Sequence, residues 1–239
     1  MVGFSACLKR MTPMVLAIET TDLLCSVAFQ EDDRTLLEYN LELPMQHAAI
    51  LGGRVQEGLR FLAGLQQPRS LNDVHLIAVA VGPGSFTGLR IGLSFAQGMA
   101  EGRKIPLVGV SNHQLLAARR LWRETDVYTI IEARRDEVYL AKHGVSPDLL
   151  TEIVDHRVVA KQDLPEQIPD GGHLICHKSL TLPEPVWDQM LTHRVRIFRQ
   201  ADYAANWLAV LGQEKFDRQG ADDPETIEPM YVRPFAGVL

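Results

Sequence analysis

Hydrophobic positions along the first half of the chain change period several times. "VLAIETT" (Val15–Thr21) and "LLCSVAFQ" (Leu24–Gln30) are strand-like runs separated by a short polar turn. After a second turn, "EDDR", the segment "TLLEYNLEL" (Thr35–Leu43) alternates apolar and polar. Three strands in a meander therefore open the fold. Beyond Pro44, from about Met45 to Leu65, Leu51, Val55, Leu59 and Leu62 stand at i, i+4, i+8 and i+11, one face of a helix. Asn72-Asp73 punctuates, and Val74–Val81 predicts a buried strand that runs into a glycine-rich apolar helix. "KIPLVGVS" (Lys104–Ser111) is the next strand, followed by a helix over Asn112–Trp122. The order β-β-β-α-β-α-β-α predicts a mixed sheet covered by helices.

The second half is less regular. Val127–Ala133 and Glu137–Gly144 read as strands around the turn "RRD". The chain is then punctuated by proline until "GGHLICHKSL" (Gly171–Leu180). A helix spans roughly Ala201–Phe216, with Asp202 as N-cap, and the tail from Glu225 is extended. No fixed-period repeat stands out. The expected division is an extension over residues 1–13, an N-terminal lobe over 14–112, and a smaller C-terminal lobe over 113–239 that carries the terminal helix and the tail.

The stretch "VAVGPGSFTGLRIGLSFAQGMAEG" (Val79–Gly102) has the strand–glycine–helix layout of a phosphate loop. A Walker loop needs GxxxxGK[ST], and the Lys and the Ser/Thr are both missing. The GxGxxG spacing fails as well. Backbone N–H groups at a helix start attract anions, which leaves Gly82, Gly84 and Ser85 as an anion candidate without side-chain support. The spacing of small residues says more. Gly84, Gly88, Gly92, Ala96 and Ala100 recur every four residues and draw one bare stripe on a helix. Each helix-interior glycine costs about 1 kcal/mol relative to alanine, so close approach of another backbone must offset the loss. The preceding helix carries a second small patch at Ala48/Ala49, Gly52/Gly53 and Gln56. Two readings stand: tight packing inside the monomer, or an interface with a second protein.

Net charge is −6, and the local basic clusters are Ala118–Arg123 and Arg194–Arg199. An acidic chain with its basic residues on solvated faces is a poor sole binder of nucleic acid. Cys7, Cys25 and Cys176 form no CxxC pair, which suits a reducing cytoplasm. No apolar run has the length of a membrane span.

"VLAIETTDLLCSVAF", "GPGSFTGLRIGLSFAQGMAEGRKIPLVGVS", "EARRDEVY" (Glu132–Tyr139) and "PMYVR" (Pro229–Arg233) together resemble the TsaB family, also called YeaZ. The resemblance spans about Val15 to Arg233. It implies an α/β fold of two lobes, the actin/sugar-kinase/chaperone-ATPase (ribonuclease H-like) fold with mixed sheets and a reduced second lobe. It implies a cytoplasmic, non-catalytic subunit with no cofactor and no metal, acting in synthesis of threonylcarbamoyladenosine beside the tRNA anticodon. The implied partners are a TsaD-type catalytic paralogue and, in the larger complex, a TsaE-type ATPase. tRNA is met indirectly, and a homodimer through the same surface is an alternative. The residues expected to bind the partner are His47, Ala49, Gly52, Gly53, Gln56, Gly84, Phe86, Gly88, Leu89, Gly92 and Ala96. Asp136 stands where the family motif has Gly, and Asp tolerates left-handed turn geometry. Glu19 and Glu132 stand where the family has Asp.

Rival readings rest on fewer residues. The metal-binding HxxxH of the catalytic paralogue is not present, because His113 is followed four residues later by Ala117. A small ATP-dependent kinase of the same fold would use the Glu19-Thr20-Thr21-Asp22 turn, which has no glycine. A peptidase would combine Ser85 with His113, and a triad is recognised by geometry that sequence does not give. "HLICH" places His173 and His177 four apart around Cys176 without a third ligand at metal spacing.

Overall fold

The computed structural model describes residues 13–43, 45–118, 127–144, 151–200 and 203–232. The expectations for the N-terminal extension before residue 13, for Pro44, Cys7, Arg119–Arg123, Ala201–Asp202 and Arg233 lie outside them.

Three strands, β1 (Met14–Glu19), β2 (Leu24–Glu31) and β3 (Arg34–Glu42), form the predicted meander. Helix α1 (His47–Ala63) follows, then β4 (Val74–Gly82), α2 (Phe86–Arg103), β5 (Leu107–Ser111) and α3 (Asn112–Ala118). The strands make one sheet in the order β3-β2-β1-β4-β5. β1/β2 and β2/β3 are antiparallel, whereas β1/β4 and β4/β5 are parallel, as crossover helices require.

The second half holds β6 (Val127–Glu132), β7 (Glu137–His143), β8 (Ile153–Ala160), α4 (Leu164–Gln167), β9 (His173–His177), α5 (Glu184–Thr192), β10 (Arg196–Gln200) and α6 (Ala205–Gln219). Its sheet runs β10-β9-β6-β7-β8, with the same pattern of antiparallel and parallel pairs. The two halves thus share one strand order, a duplication that no sequence repeat announced. β8, β10 and α5 went unpredicted. β8 is mostly exposed and carries Asp155, His156 and Arg157, so no apolar alternation marks it. α5 opens on Glu184-Pro185, and proline in a first helical turn is tolerated rather than breaking.

Alternate residues of the first sheet serve two cores. Met14, Leu16, Ile18, Val27 and Phe29 face α1 and α2. Val15, Ala17, Ala28, Leu76 and Ala78 face the other way, toward α3 and α6, in a cluster that also takes in Val127, Ile131 and Ile175 of the second sheet. A third core lies beyond the second sheet, under α4 and α5.

The terminal helix was expected with the second lobe, but α6 packs on β1, β2, β4 and β5 of the first sheet. Its start explains the placement. The Ala205 N–H donates to Ser26 Oγ at 2.9 Å and the Asn206 N–H to Glu38 Oε1 at 3.0 Å, so strands of the first sheet satisfy the free amides of the helix end. Gly212 lies so close that an added Cβ would meet Ala78 Cβ at 2.5 Å.

After α6 the chain turns back along β5, the edge strand. Asp222 bridges Leu107, its carboxylate accepts from the Gly109 N–H at 2.8 Å, and Lys215 pairs with it at 2.7 Å. The Met230 N–H then reaches the Val81 carbonyl at 2.7 Å. This strap covers an edge that would otherwise be open. In the β6–β7 turn the left-handed residue is Arg135 (φ 55°), not the expected Asp136.

Candidate functional site

The glycine ladder of α2 is filled by the chain's own β1–β2 turn. A Cβ on Gly88 would stand 1.9 Å from the Thr20 carbonyl oxygen, one on Gly92 2.4 Å from Thr20 Oγ1, and one on Gly84 2.7 Å from the Thr21 carbonyl oxygen. Thr20 Oγ1 donates to the Gly88 carbonyl at 2.8 Å, and the Ser85 N–H donates to the Thr21 carbonyl at 2.7 Å. Ala96 and Ala100 continue the stripe into the core. The expectation that this stripe is a seam for a second protein is therefore corrected. Periodicity placed these residues on one face, and the nearest backbone to that face is the chain's own.

The outward faces differ. On α2, Phe86, Arg90, Ser94, Gly98 and Gly102 are exposed, again at four-residue spacing. On α1, Ala48, Ala49, Gly52, Gly53 and Gln56 are exposed, and a Cβ on Gly53 or Gly98 would touch nothing within 4 Å. Of the residues expected to bind a partner, Ala49, Gly52, Gly53, Gln56 and Phe86 are thus accessible. His47, Gly88, Leu89, Gly92 and Ala96 are buried, and Gly84 is half-buried. The Phe86 ring lies beneath the Arg90 guanidinium at 4.0 Å and beside Tyr231 at 6.1 Å.

Between the two sheets opens a cavity of about 470 Å³. Thr21, Asp22 and Leu23 of the β1–β2 turn, Pro83, Gly84, Ser85, Thr87 and Gly88 at the start of α2, and His177, Ser179 and Leu180 at the end of β9 line it, with Met45, Glu132 and Tyr203. Among the described residues that line it there is no Lys or Arg. His177 stacks on Tyr203 at 5.3 Å and lies 3.7 Å from Asp22 Oδ2. Glu132 is held by Lys161 at 2.5 Å. Sequence reasoning missed this wall, because its residues come from three distant segments that only the facing sheets unite.

At the root of the cleft, Glu19 is fully buried. Its Oε1 accepts from the Thr21 N–H at 2.7 Å and from the Thr21 hydroxyl, which in turn accepts from the Asn112 amide. Burial pushes the carboxyl up to about 8, against the opposing pull of those hydrogen bonds. The turn's Thr21 N–H and the loop's Ser85 N–H are both spent inside the chain. The anion candidate at Gly82, Gly84 and Ser85 therefore keeps neither of them for a ligand.

The other constellations come apart. Ser85 Oγ caps α2 by accepting the Gly88 N–H at 3.3 Å. His113 lies in the core, where its Nδ1 bonds Thr129 Oγ1 at 2.7 Å; that oxygen bonds His143 Nε2 at 2.8 Å, and His143 Nδ1 bonds Thr151 Oγ1 at 2.8 Å. Burial lowers His113 well below the usual imidazole range and His143 to about 4. On β9, Cys176 points into the core beyond the second sheet while His177 faces Tyr203. Among the described residues no three His, Cys, Asp or Glu converge on a metal position, and no helix is long and apolar enough to cross a membrane. Arg194 pairs with Asp170, and Arg199 donates to the Lys178 and Leu180 carbonyls at 2.9 Å, so the second basic cluster is dispersed.

Two mixed sheets of one strand order facing across a cleft define the actin-like and sugar-kinase fold. A ROK hexokinase from Thermus thermophilus shares it at TM-score 0.52, with 10% identity over 85% of this chain and 99% of that one. YeaZ from Pseudomonas aeruginosa superposes with TM-score 0.70 at 26% identity, covering 92% of this chain and 99% of that chain. Residues 63–207 match the family described as TsaD, tRNA N6-adenosine threonylcarbamoyltransferase. The tRNA threonylcarbamoyladenosine biosynthesis protein TsaB of Escherichia coli (strain K12) is 38% identical over 132 residues, which is 54% of this chain and 54% of that protein. The match thus spans about half the length of that relative. The protein of the same name from Bacillus subtilis (strain 168) is 28% identical over 223 residues, 92% of this chain and 93% of that one. The chain belongs to the TsaB/YeaZ family, which is related to TsaD.

Proposed function

We propose that this protein is a non-catalytic docking subunit in the making of threonylcarbamoyladenosine in tRNA, and that it binds a TsaD-type catalytic partner through the outward faces of α1 and α2. The observation that carries the reading is the bare outer face of α1. Ala49, Gly52 and Gly53 are exposed inside a helix where glycine costs about 1 kcal/mol each. Among the described residues no neighbour uses the room at Gly53. Fully exposed Met45 and half-exposed Phe61 border it with apolar surface. The match to the TsaD family supports a partner of similar fold, which could present helices to this face. A TsaE-type ATPase and the tRNA would then be met through the partner, in the cytoplasm.

Titration calorimetry against a TsaD-type protein tests the reading. Ala49→Glu and Gly53→Glu should each weaken binding at least tenfold while leaving the thermal midpoint within a few degrees of wild type. Unchanged affinity in both would overturn it. The kinase alternative would need the cleft to take ATP. Its Thr21 and Ser85 amides are occupied and no Lys or Arg among the described residues lines it, which favours the docking reading.

A further inference from the structure

The cleft holds a buried cluster that the docking reading does not use. Glu19, Thr21 and Asn112 come from the end of β1, the β1–β2 turn and the start of α3, and all three are at most 3% exposed. The Thr21 hydroxyl has one proton and gives it to Glu19 Oε1, so the Asn112 side chain must present its N–H₂ to that hydroxyl. Two buried oxygens are then left without a partner among the described residues, Glu19 Oε2 and Asn112 Oδ1. An ionised Glu19 would bury a charge without a counter-ion, its Oε2 and the neighbouring Asn112 Oδ1 both lacking a donor, which costs several kcal/mol. Among the described residues its charged and titratable neighbours are Asp22, Cys25 and Tyr203; none of these is a cation, and the first repels it. A carboxylic acid, in contrast, supplies the donor this acceptor-rich cluster lacks.

We infer that the Glu19–Thr21–Asn112 cluster is a proton-binding site, occupied at neutral pH, in which the neutral Glu19 carboxylic acid locks the β1–β2 turn onto the start of α3. The proton is taken from solvent on folding and returned to it when the cluster ionises. Gly84, Gly88 and Gly92 are seated on Thr20 and Thr21, so the locked turn fixes the first turns of α2. The effect on partner binding rests on the docking reading, whereas the lock itself concerns the protein alone.

The sign of the pH dependence follows from the raised carboxyl. Stability from the cluster is full below the ordinary carboxyl value of 4.5, declines as pH rises toward about 8, and is lost above it. The test uses the full chain without partner. Carbon-13 NMR of the Glu19 carboxyl should show the protonated form at pH 6 and a titration midpoint near 8. Glu19→Gln keeps a neutral donor in place, so its thermal midpoint should rise relative to wild type between pH 5 and pH 8 and stay offset above that. A Glu19 carboxyl already ionised at pH 6, or a wild type and Glu19→Gln that change in parallel from pH 5 to pH 8, would overturn the inference. The NMR measurement stands on wild type alone if the variant does not fold.

Discussion

Thr20 donates its hydroxyl proton to the Gly88 carbonyl across 2.8 Å, while its own carbonyl oxygen lies where the first side-chain atom of any other residue at position 88 would go. One hydrogen bond and one steric exclusion thereby bind the turn after β1 to the first helical turn of α2. Gly88→Ala should destabilise the protein by roughly 3 kcal/mol or more, because the obstructing atom is backbone and the overlap cannot be relieved by a rotamer. Gly53→Ala, on the open face of α1, should be neutral or stabilise by about 0.5–1 kcal/mol. Urea unfolding of the two variants checks the contrast. A Gly88 variant that loses the partner would report misfolding rather than docking, so binding tests belong on α1.

Ser85 is a helix cap. Ser85→Ala should cost about 1 kcal/mol of stability through the Gly88 N–H it leaves unpaired, and should leave unchanged any peptide cleavage seen in a preparation. Loss of cleavage in step with the substitution would revive the peptidase reading.

The His113–Thr129–His143–Thr151 chain is buried and neutral. Both imidazoles are depressed below their unfolded value of 6.5, so the unfolded state binds more protons as pH falls. The stability contributed by these two imidazoles should be unaffected above pH 6.5 and should fall from there toward pH 4, by on the order of 3 kcal/mol from His143 alone. Proton NMR of the two imidazoles should show neither ring charging above pH 5. Titration of either near 6.5 in the folded state would contradict the assignment.

Asp222 holds the strap to the edge of β5 through the Gly109 amide and Lys215. Asp222→Ala should cost about 1–3 kcal/mol, since it leaves the Gly109 amide unmatched and the partly buried Lys215 ammonium with only the Gly109 carbonyl. Hydrogen exchange at Gly109 should accelerate in that variant, while amides of β1 and β2 stay protected.

Much of this was legible in the chain and some of it was not. The 3.6-residue period of Leu51, Val55 and Leu62 placed the inner face of α1, and all three are buried. The alternation in β1 and β2 places the meander, and the missing Lys in the glycine loop argues against a Walker site from sequence alone. Periodicity could not say which neighbour the Gly84–Gly88–Gly92 face would meet. The same four-residue spacing runs outward through Ser94, Gly98 and Gly102, and the two stripes look alike in a sequence. β10 was hidden because an edge strand reading "RIFRQ" has too few apolar positions to alternate.

The sequence by itself determined the elements of the first sheet, their order and the family, because those depend on local period and on motifs read residue by residue. Tertiary structure decided where the bare helix face points, where α6 docks, and that Glu19, Thr21 and Asn112 share one buried hydrogen-bonded cluster. Each of those depends on which distant backbone comes within 3 Å. That distance is set by the packing of whole sheets and helices, which no spacing along the chain records.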